Sequence, residues 1–363
     1  MLSLDLSNGA AGDMYVAALA GLGADRERII DAVSVFGDAC FSKINKSGFN
    51  ALKFEVDYNP GKIGYLELVE AVKSIRLKKE AMDCALGILR VLAEAEAKAH
   101  QVGLREVHLH EAADCAVDAV AVAVALESLK MLEATVTATA LRLGAVSAAA
   151  WEIIKSSSIP VVAPEGLEFM KPHSREKPKL PETCTPTGAA ITAHLKPVFH
   201  GFKPTGDAGV GAGEMDLDYP NVLKAYLDER VYMLESNIDD ATGEEIAHAM
   251  GELLDAKALD VSLHNCLMKK GRPGYLLRVL TNDPIRHGRL LMQESGSLGV
   301  RWHNVERQVL ERHFMTETVD VEGVVEEINV KKTKFTSKPE YGDVAETARR
   351  HGLSYKQVGE LVE

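Results

Sequence analysis

Cysteine is scarce and poorly placed for either of its structural uses. The five thiols, Cys40, Cys84, Cys115, Cys184 and Cys266, are odd in number, widely scattered and never in CxxC spacing. That excludes an encoded disulfide framework or zinc knuckle and makes a reducing, cytoplasmic setting the expectation. Long apolar runs are missing too. The most hydrophobic stretch, around Ala119 to Leu126, is far below the roughly 20 residues of a membrane span, and the N-terminus carries no cationic leader, so no membrane partner is expected. Positive charge is in deficit: 41 Lys and Arg against 53 Asp and Glu leave a formal net charge of -12. Self-repulsion opposes phosphate-backbone binding, so nucleic acid is not an expected partner, and any polyanion must sit in a local basic pocket.

What is present is a 363-residue chain, 46% hydrophobic and 26% charged, long enough for two domains with real cores. Leu2 to Leu6 alternates as a strand, glycines punctuate residues 9–12, and helical spacing resumes from Met14 to Leu22. Lys78 to His100 and the alanine-rich Ala112 to Leu129 read as two long, closely packed helices. Ser156 to Pro186 is rich in serine and proline and reads as a long exposed loop. The glycine-rich passage Gly206 to Gly213 is followed by Pro220 and an expected short helix ending near Asp228. From Val231 the pattern restarts: a strand, a helix over Glu244 to Leu254, a strand near Val261 and another across Tyr275 to Leu280. The expectation is therefore a two-domain α/β (α+β) protein, with a helix-rich domain over residues 1–228 and a second α/β domain over residues 229–363.

Against the acidic background one segment stands out, Met268-Lys269-Lys270-Gly271-Arg272-Pro273-Gly274. Glycine lets backbone N–H groups approach an anion, and Lys269, Lys270 and Arg272 can neutralise phosphate oxygens, which points to a nucleotide or phosphorylated metabolite. A solvated basic turn after a strand has the same composition. Asn237-Ile238-Asp239-Asp240 ends a strand, and paired carboxylates there suit Mg²⁺ or Mn²⁺ against substrate phosphates, while helix capping by Asp240 or Thr242 also explains them. Glu294, Ser295, Ser297 and Arg301 surround two glycines and read as a triphosphate or sugar cradle, or as a turn.

In the first half, His108 and His110 share a side of an extended segment, Glu111 follows, and Asp114 and Asp118 share a helix face. Imidazole with carboxylate suits nickel, zinc or manganese; a polar helix connection with Asp114 near a helix start is the alternative. Asp5 to Met14 offers a helix start for an anion, capped by Ser7 or Asn8, or a cation site at Asp5 and Asp13. Thr183 to Ala190 reads as a capped helix start with an exposed thiol, Cys184, before it.

Taken in order, these motifs resemble the nickel-insertion family that completes the nickel-pincer nucleotide cofactor, the LarC-type cyclometallases. Asp5 to Met14 resembles its Gly-x-Ser-Gly-Asp-Met start, and Val107-His108-Leu109-His110-Glu111 with Asp114 to Asp118 is similar to its histidine segment and acidic helix. Thr185 to Ala190, Gly211 to Gly213, Pro220 to Leu223, Asn237 to Asp240, Met268 to Pro273, Leu298 to Arg301 and Pro339 to Tyr341 follow in the family's order. Ser156 to Ser158 stand where the family has His-Gly. The resemblance implies a nickel chelatase: CTP, with Mn²⁺ or Mg²⁺, is cleaved to CMP and pyrophosphate while Ni²⁺ enters a bis-thiocarboxylated pyridinium mononucleotide. It further implies a ferredoxin-like C-terminal domain and assembly as a homo-oligomer. Under it, Lys269, Lys270 and Arg272 act on phosphates; Asp239, Asp240 and Glu294 hold the nucleotide-bound cation; Asn237, Ser295, Ser297 and Arg301 contact the nucleotide. His108, His110, Glu111, Asp114 and Asp118 hold nickel or the precursor. A nickel storage or delivery protein without turnover is the alternative.

Overall fold

The computed structural model describes residues 1–58, 63–109, 112–171, 178–199 and 206–362. Two compact units emerge, Met1–Asn304 and Val305–Glu363. The first contains two large hydrophobic cores, one over residues 2–225 and one over residues 232–291, besides a small cluster of Ala51, Ala212 and Val222, so the expected break at 228–229 falls between the two large cores inside that unit.

The larger core is built on a six-stranded mixed sheet in the order Gly37–Lys46, Phe49–Tyr58, Gly209–Ala212, Val222–Leu227, Leu2–Asp5, Val136–Ala138. The opening helix Gly12–Gly21 lies close against Gly209–Ala212, because glycine there removes the side chain that would block it. A Cβ on Gly211 would stand 2.0 Å from Met14 O, and one on Gly209 would stand 2.0 Å from Ala18 O. The alanine-rich helix Ala112–Ser128 is buried along nearly its whole length among the opening helix, Arg26–Val33 and the long helix Lys79–His100. Small side chains permit that close approach on several faces at once.

Two expectations change here. Val222–Leu227 is a strand rather than a short helix. It pairs antiparallel with both Leu2–Asp5 and Gly209–Ala212, and sheet bonding on two edges outweighs local helical spacing. The serine- and proline-rich stretch is partly stitched to the body, since Val161–Val162 pairs with Leu141–Arg142 and Glu168–Phe169 pairs with Ala145–Val146.

The second core belongs to a β-α-β-β-α-β module: Val231–Ile238, Gly243–Asp255, Asp260–Leu267, Pro273–Thr281, Pro284–Ser295 and Arg301–Val305. Its sheet order, third strand beside first and second and fourth at the edges, is ferredoxin-like. Alternation along the first strand turns Tyr232, Leu234, Ser236 and Ile238 toward the helices. Glu235 and Asn237 therefore face the open side of the sheet.

The unit Val305–Glu363 pairs Arg312–Val321 with Val324–Thr333 through a two-residue turn in which both Glu322 and Gly323 have positive φ. Val319, Val321, Ile328, Val330, Val344 and Val358 form its small core with the helices Tyr341–His351 and Tyr355–Gly359.

Candidate functional site

The opening helix begins without a side-chain cap: Ala11 occupies the N-cap, and Ser7, an expected cap, instead donates to Asp5 Oδ1 at 2.5 Å. Its first turn carries Asp13 into a cleft of about 510 Å³ whose walls include Asp114, Asp118, Glu182, Glu214 and Asn221. Asp118 is buried at 4% exposure and sits directly behind Gly12, where an added Cβ would come within 1.8 Å of its Oδ2. Burial, reinforced by Asp114 and Asp13, pushes the Asp118 carboxyl well above the usual range. Asp13 is pushed to about 7, chiefly by desolvation, with a hydrogen bond from the Met14 backbone opposing and the charges of Asp114 and Glu214 adding to it. Crowded, dehydrated carboxylates repel an anion and gain from any cation that relieves their repulsion. Of the pair expected to bind a cation here, only Asp13 lines the cleft; Asp5 lies 3.7 Å from Lys224 Nζ instead.

Thr185 caps the helix Pro186–Leu195 by accepting from Gly188 N at 3.1 Å, as its sequence position suggests. Cys184 just before it is fully buried rather than exposed, and burial pushes its thiol up, away from reactivity. His108 lies on a short strand opposite Gly64, just ahead of the acidic helix. His110 and Glu111 lie outside the described residues. His100 stays on its own helix, 3.3 Å from Glu96 Oε2. Among the described residues, no group of three or more His, Cys, Asp or Glu is placed to hold a metal ion.

In the ferredoxin-like module the basic segment is the turn of the hairpin Asp260–Leu267/Pro273–Thr281. Met268 N donates to Arg272 O at 2.7 Å, and Gly271 takes the left-handed conformation that closes the loop. Lys269 is exposed on a single 3₁₀ turn. Arg272 Nη2 lies 2.5 Å from Asp239 Oδ2, so the expected phosphate ligand and the expected cation ligand are each other's partner here. Asp240 is exposed; Thr242, with Glu245 in a capping box, caps the following helix in its place.

Arg301 Nη1 donates to Asn237 Oδ1 at 2.8 Å, bringing those two residues together on the open sheet face. Two neighbours absent from the sequence expectation join them. Glu235 accepts from Arg278 at 2.8 Å and from Arg301 at 3.1 Å. Burial alone raises its pKa, but the two guanidinium hydrogen bonds prevail and hold it below the usual value. Only the polar alternation in Val231–Ile238 could have revealed it.

The expected cradle divides across the sheet. Ser295 is buried and its hydroxyl donates to Leu291 O at 2.6 Å, which commits the proton expected for a nucleotide. Ser297 Oγ stands 2.6 Å from Ser236 Oγ, on the helix side of the strand. Glu294 pairs with His248 of the neighbouring helix at 3.4 Å. For Glu294 and Ser295 the cause is the same: the helix ending at Ser295 turns its last side chains toward the adjacent helix and its own carbonyls, while Ser297 lies past its end and bonds to Ser236 and Gly299 O.

A family model described as nickel insertion protein matches residues 2–359. The chain belongs to the nickel insertion protein family. Relatives within it include a chain named as a nickel insertion protein in Methanothermobacter thermautotrophicus, 34% identical over 342 residues that cover 87% of this chain and 82% of that one. The pyridinium-3,5-bisthiocarboxylic acid mononucleotide nickel insertion protein of Geobacillus kaustophilus is 31% identical over 403 residues, covering 99% and 96%. Among solved structures, the apo C-terminal domain of a cyclometallase involved in the synthesis of the NPN cofactor of lactate racemase is 34% identical. It covers 36% of this chain and 92% of that domain, with a TM-score of 0.33.

Proposed function

We propose that this chain inserts nickel into pyridinium-3,5-bisthiocarboxylic acid mononucleotide, consuming CTP together with Mn²⁺ or Mg²⁺ and releasing CMP and pyrophosphate. The observation that carries this reading is the family match along nearly the whole chain, 2–359, in a protein with a carboxylate cleft of its own. In the proposal Ni²⁺ is cargo. The acidic cleft of Asp13, Asp114 and Asp118 attracts it; these three are not grouped to hold a metal by themselves, and His108, His110 and Glu111, from the segment that leads into the acidic helix, are proposed to complete the donor set. Carboxylates are hard ligands, whereas thiocarboxylate sulfur is soft, so passage from the cleft to the precursor runs toward the better match for nickel.

The hairpin turn is assigned to the triphosphate. Lys269 and Lys270 supply point charges, and Arg272 supplies a bidentate fork. Arg272 already holds Asp239, so an arriving nucleotide would exchange that partner for phosphate oxygens and free the Asp239 carboxylate, with Asp240, for the nucleotide's divalent ion. Asn237 and Arg301 lie on the open face of the first and last strands of the same module.

The test is to mix the protein, CTP, Mn²⁺, Ni²⁺ and precursor, and to follow pyrophosphate and the nickel-bound product together. Both are expected, and omission of CTP should abolish both. A protein that binds nickel and leaves CTP intact is a carrier, and that result overturns the proposal.

A further inference from the structure

A second cavity, about 470 Å³, opens between the large sheet and the helix Pro284–Ser295 of the ferredoxin-like module. That volume suits one small molecule, and junctions of this kind commonly hold one. Its base is polar and fixed: Ser3 Oγ and Thr137 Oγ1 are 2.8 Å apart and buried. Asp228, which lines one wall and is 6% exposed, accepts from Arg230 at 2.8 and 2.6 Å and from the Tyr232 hydroxyl at 2.7 Å. Its charge is thereby neutralised inside the site. Trp302, about half exposed, Met292 and Arg289 also line the cavity. Arg289 has no ion pair or side-chain hydrogen bond among the described residues.

The cavity therefore offers an indole, a thioether and one uncommitted guanidinium, with its single lining carboxylate, among the described residues, already paired. We propose that it binds the pyridinium mononucleotide substrate, with the cationic ring on the Trp302 indole and the phosphate on Arg289. An electron-rich indole face attracts a ring cation, and a guanidinium matches phosphate. The acidic cleft suits this ligand poorly, since its phosphate and two thiocarboxylates would meet Asp13, Asp114 and Glu214. Metal and organic substrate thus have separate receiving sites. The identity of the ligand rests on the proposed function; the ring-and-phosphate chemistry rests on the cavity.

The chain has two tryptophans, and Trp151 meets Phe169 edge-on at 5.2 Å, so Trp151→Phe leaves Trp302 as the sole indole reporter. Nicotinic acid mononucleotide, a pyridinium mononucleotide without sulfur, is titrated into this full-length variant with no nickel or CTP present. Saturable quenching of Trp302 is expected, with the dissociation constant rising about tenfold or more in Arg289→Ala as the charge-assisted phosphate contact is lost. In calorimetry on the otherwise native chain, Trp302→Leu should also weaken binding. Quenching that rises linearly without saturation, or a saturable curve unchanged by Arg289→Ala, overturns the proposal, as does calorimetric binding indifferent to Trp302→Leu. Saturable binding in a protein that leaves CTP intact would sink the nickel-insertion reading and keep the cavity. The opposite pair of results would do the reverse.

Discussion

The acidic cleft of the body and the basic turn of the ferredoxin-like module both collect charge, and they treat it in opposite ways. In the cleft, Asp118 is 4% exposed behind Gly12, and like charges surround it. In the turn, Lys269 and Arg272 are exposed, and Arg272 already has a partner in Asp239. The cleft stores unfavourable free energy that a proton or a metal ion can release; the turn stores little and presents charge for exchange. Burial, more than residue type, separates the two: carboxylates held away from solvent in the cleft, and cations presented to it in the turn.

Glycine substitutions test the packing side of this comparison. Gly12→Ala drives a Cβ to within 1.8 Å of Asp118 Oδ2, and overpacking of this kind should cost about 1–3 kcal/mol in urea denaturation. Gly299→Ala in the module meets nothing within 4 Å and should stay within about 0.5 kcal/mol of the parent. Equal losses for the two would erase the contrast in packing.

The pH dependence sharpens it further. Asp13 rises from 3.8 to about 7 in the folded chain, so the folded state binds the proton more tightly than the unfolded one. The stability from that protonation is fully present below about pH 4 and is lost as pH rises through about 7, a total of at most about 4 kcal/mol. Asp13→Asn should flatten that slope and raise stability at pH 8, read from thermal melts across the range. An unchanged slope would show that Asp13 titrates normally.

Smaller effects are expected at the turn. Arg272→Ala removes an ion pair whose arginine is 56% exposed, so stability should change by less than about 1 kcal/mol. Affinity for Mn²⁺-CTP in calorimetry should nevertheless fall at least about tenfold, because a charge-assisted phosphate contact is lost. A variant that binds CTP as tightly as the parent would remove the turn from the nucleotide site.

How much of this was legible in the sequence depends on the depth at which each feature is decided. The module's opening strand-helix-strand-strand order follows from alternation and helical spacing, and the Thr185 cap follows from local hydroxyl chemistry, whereas the helix Pro284–Ser295 was not anticipated. Val222–Leu227 was not legible, because its two sheet partners come from distant parts of the chain. The burial of Cys184 and the pairing of Glu294 with His248 were hidden for the same reason: which way a helix end faces is settled by its neighbours. The acidic residues Asp114 and Asp118 could be placed on one helix face from spacing alone, but their meeting with Asp13 needed the opening helix to lie beside them.

The most direct test of the cleft is nickel titration at pH 6 in buffers of different ionisation enthalpy, which counts the protons expelled as the metal binds. With Asp13 pushed to about 7, and with burial and the charges of Asp114 and Asp13 holding Asp118 well above its usual value, nickel should bind with release of about one proton. Asp118→Asn should lower both the affinity and the proton count. Nickel binding that releases no proton and ignores Asp118→Asn would contradict the assignment of this cleft to the metal.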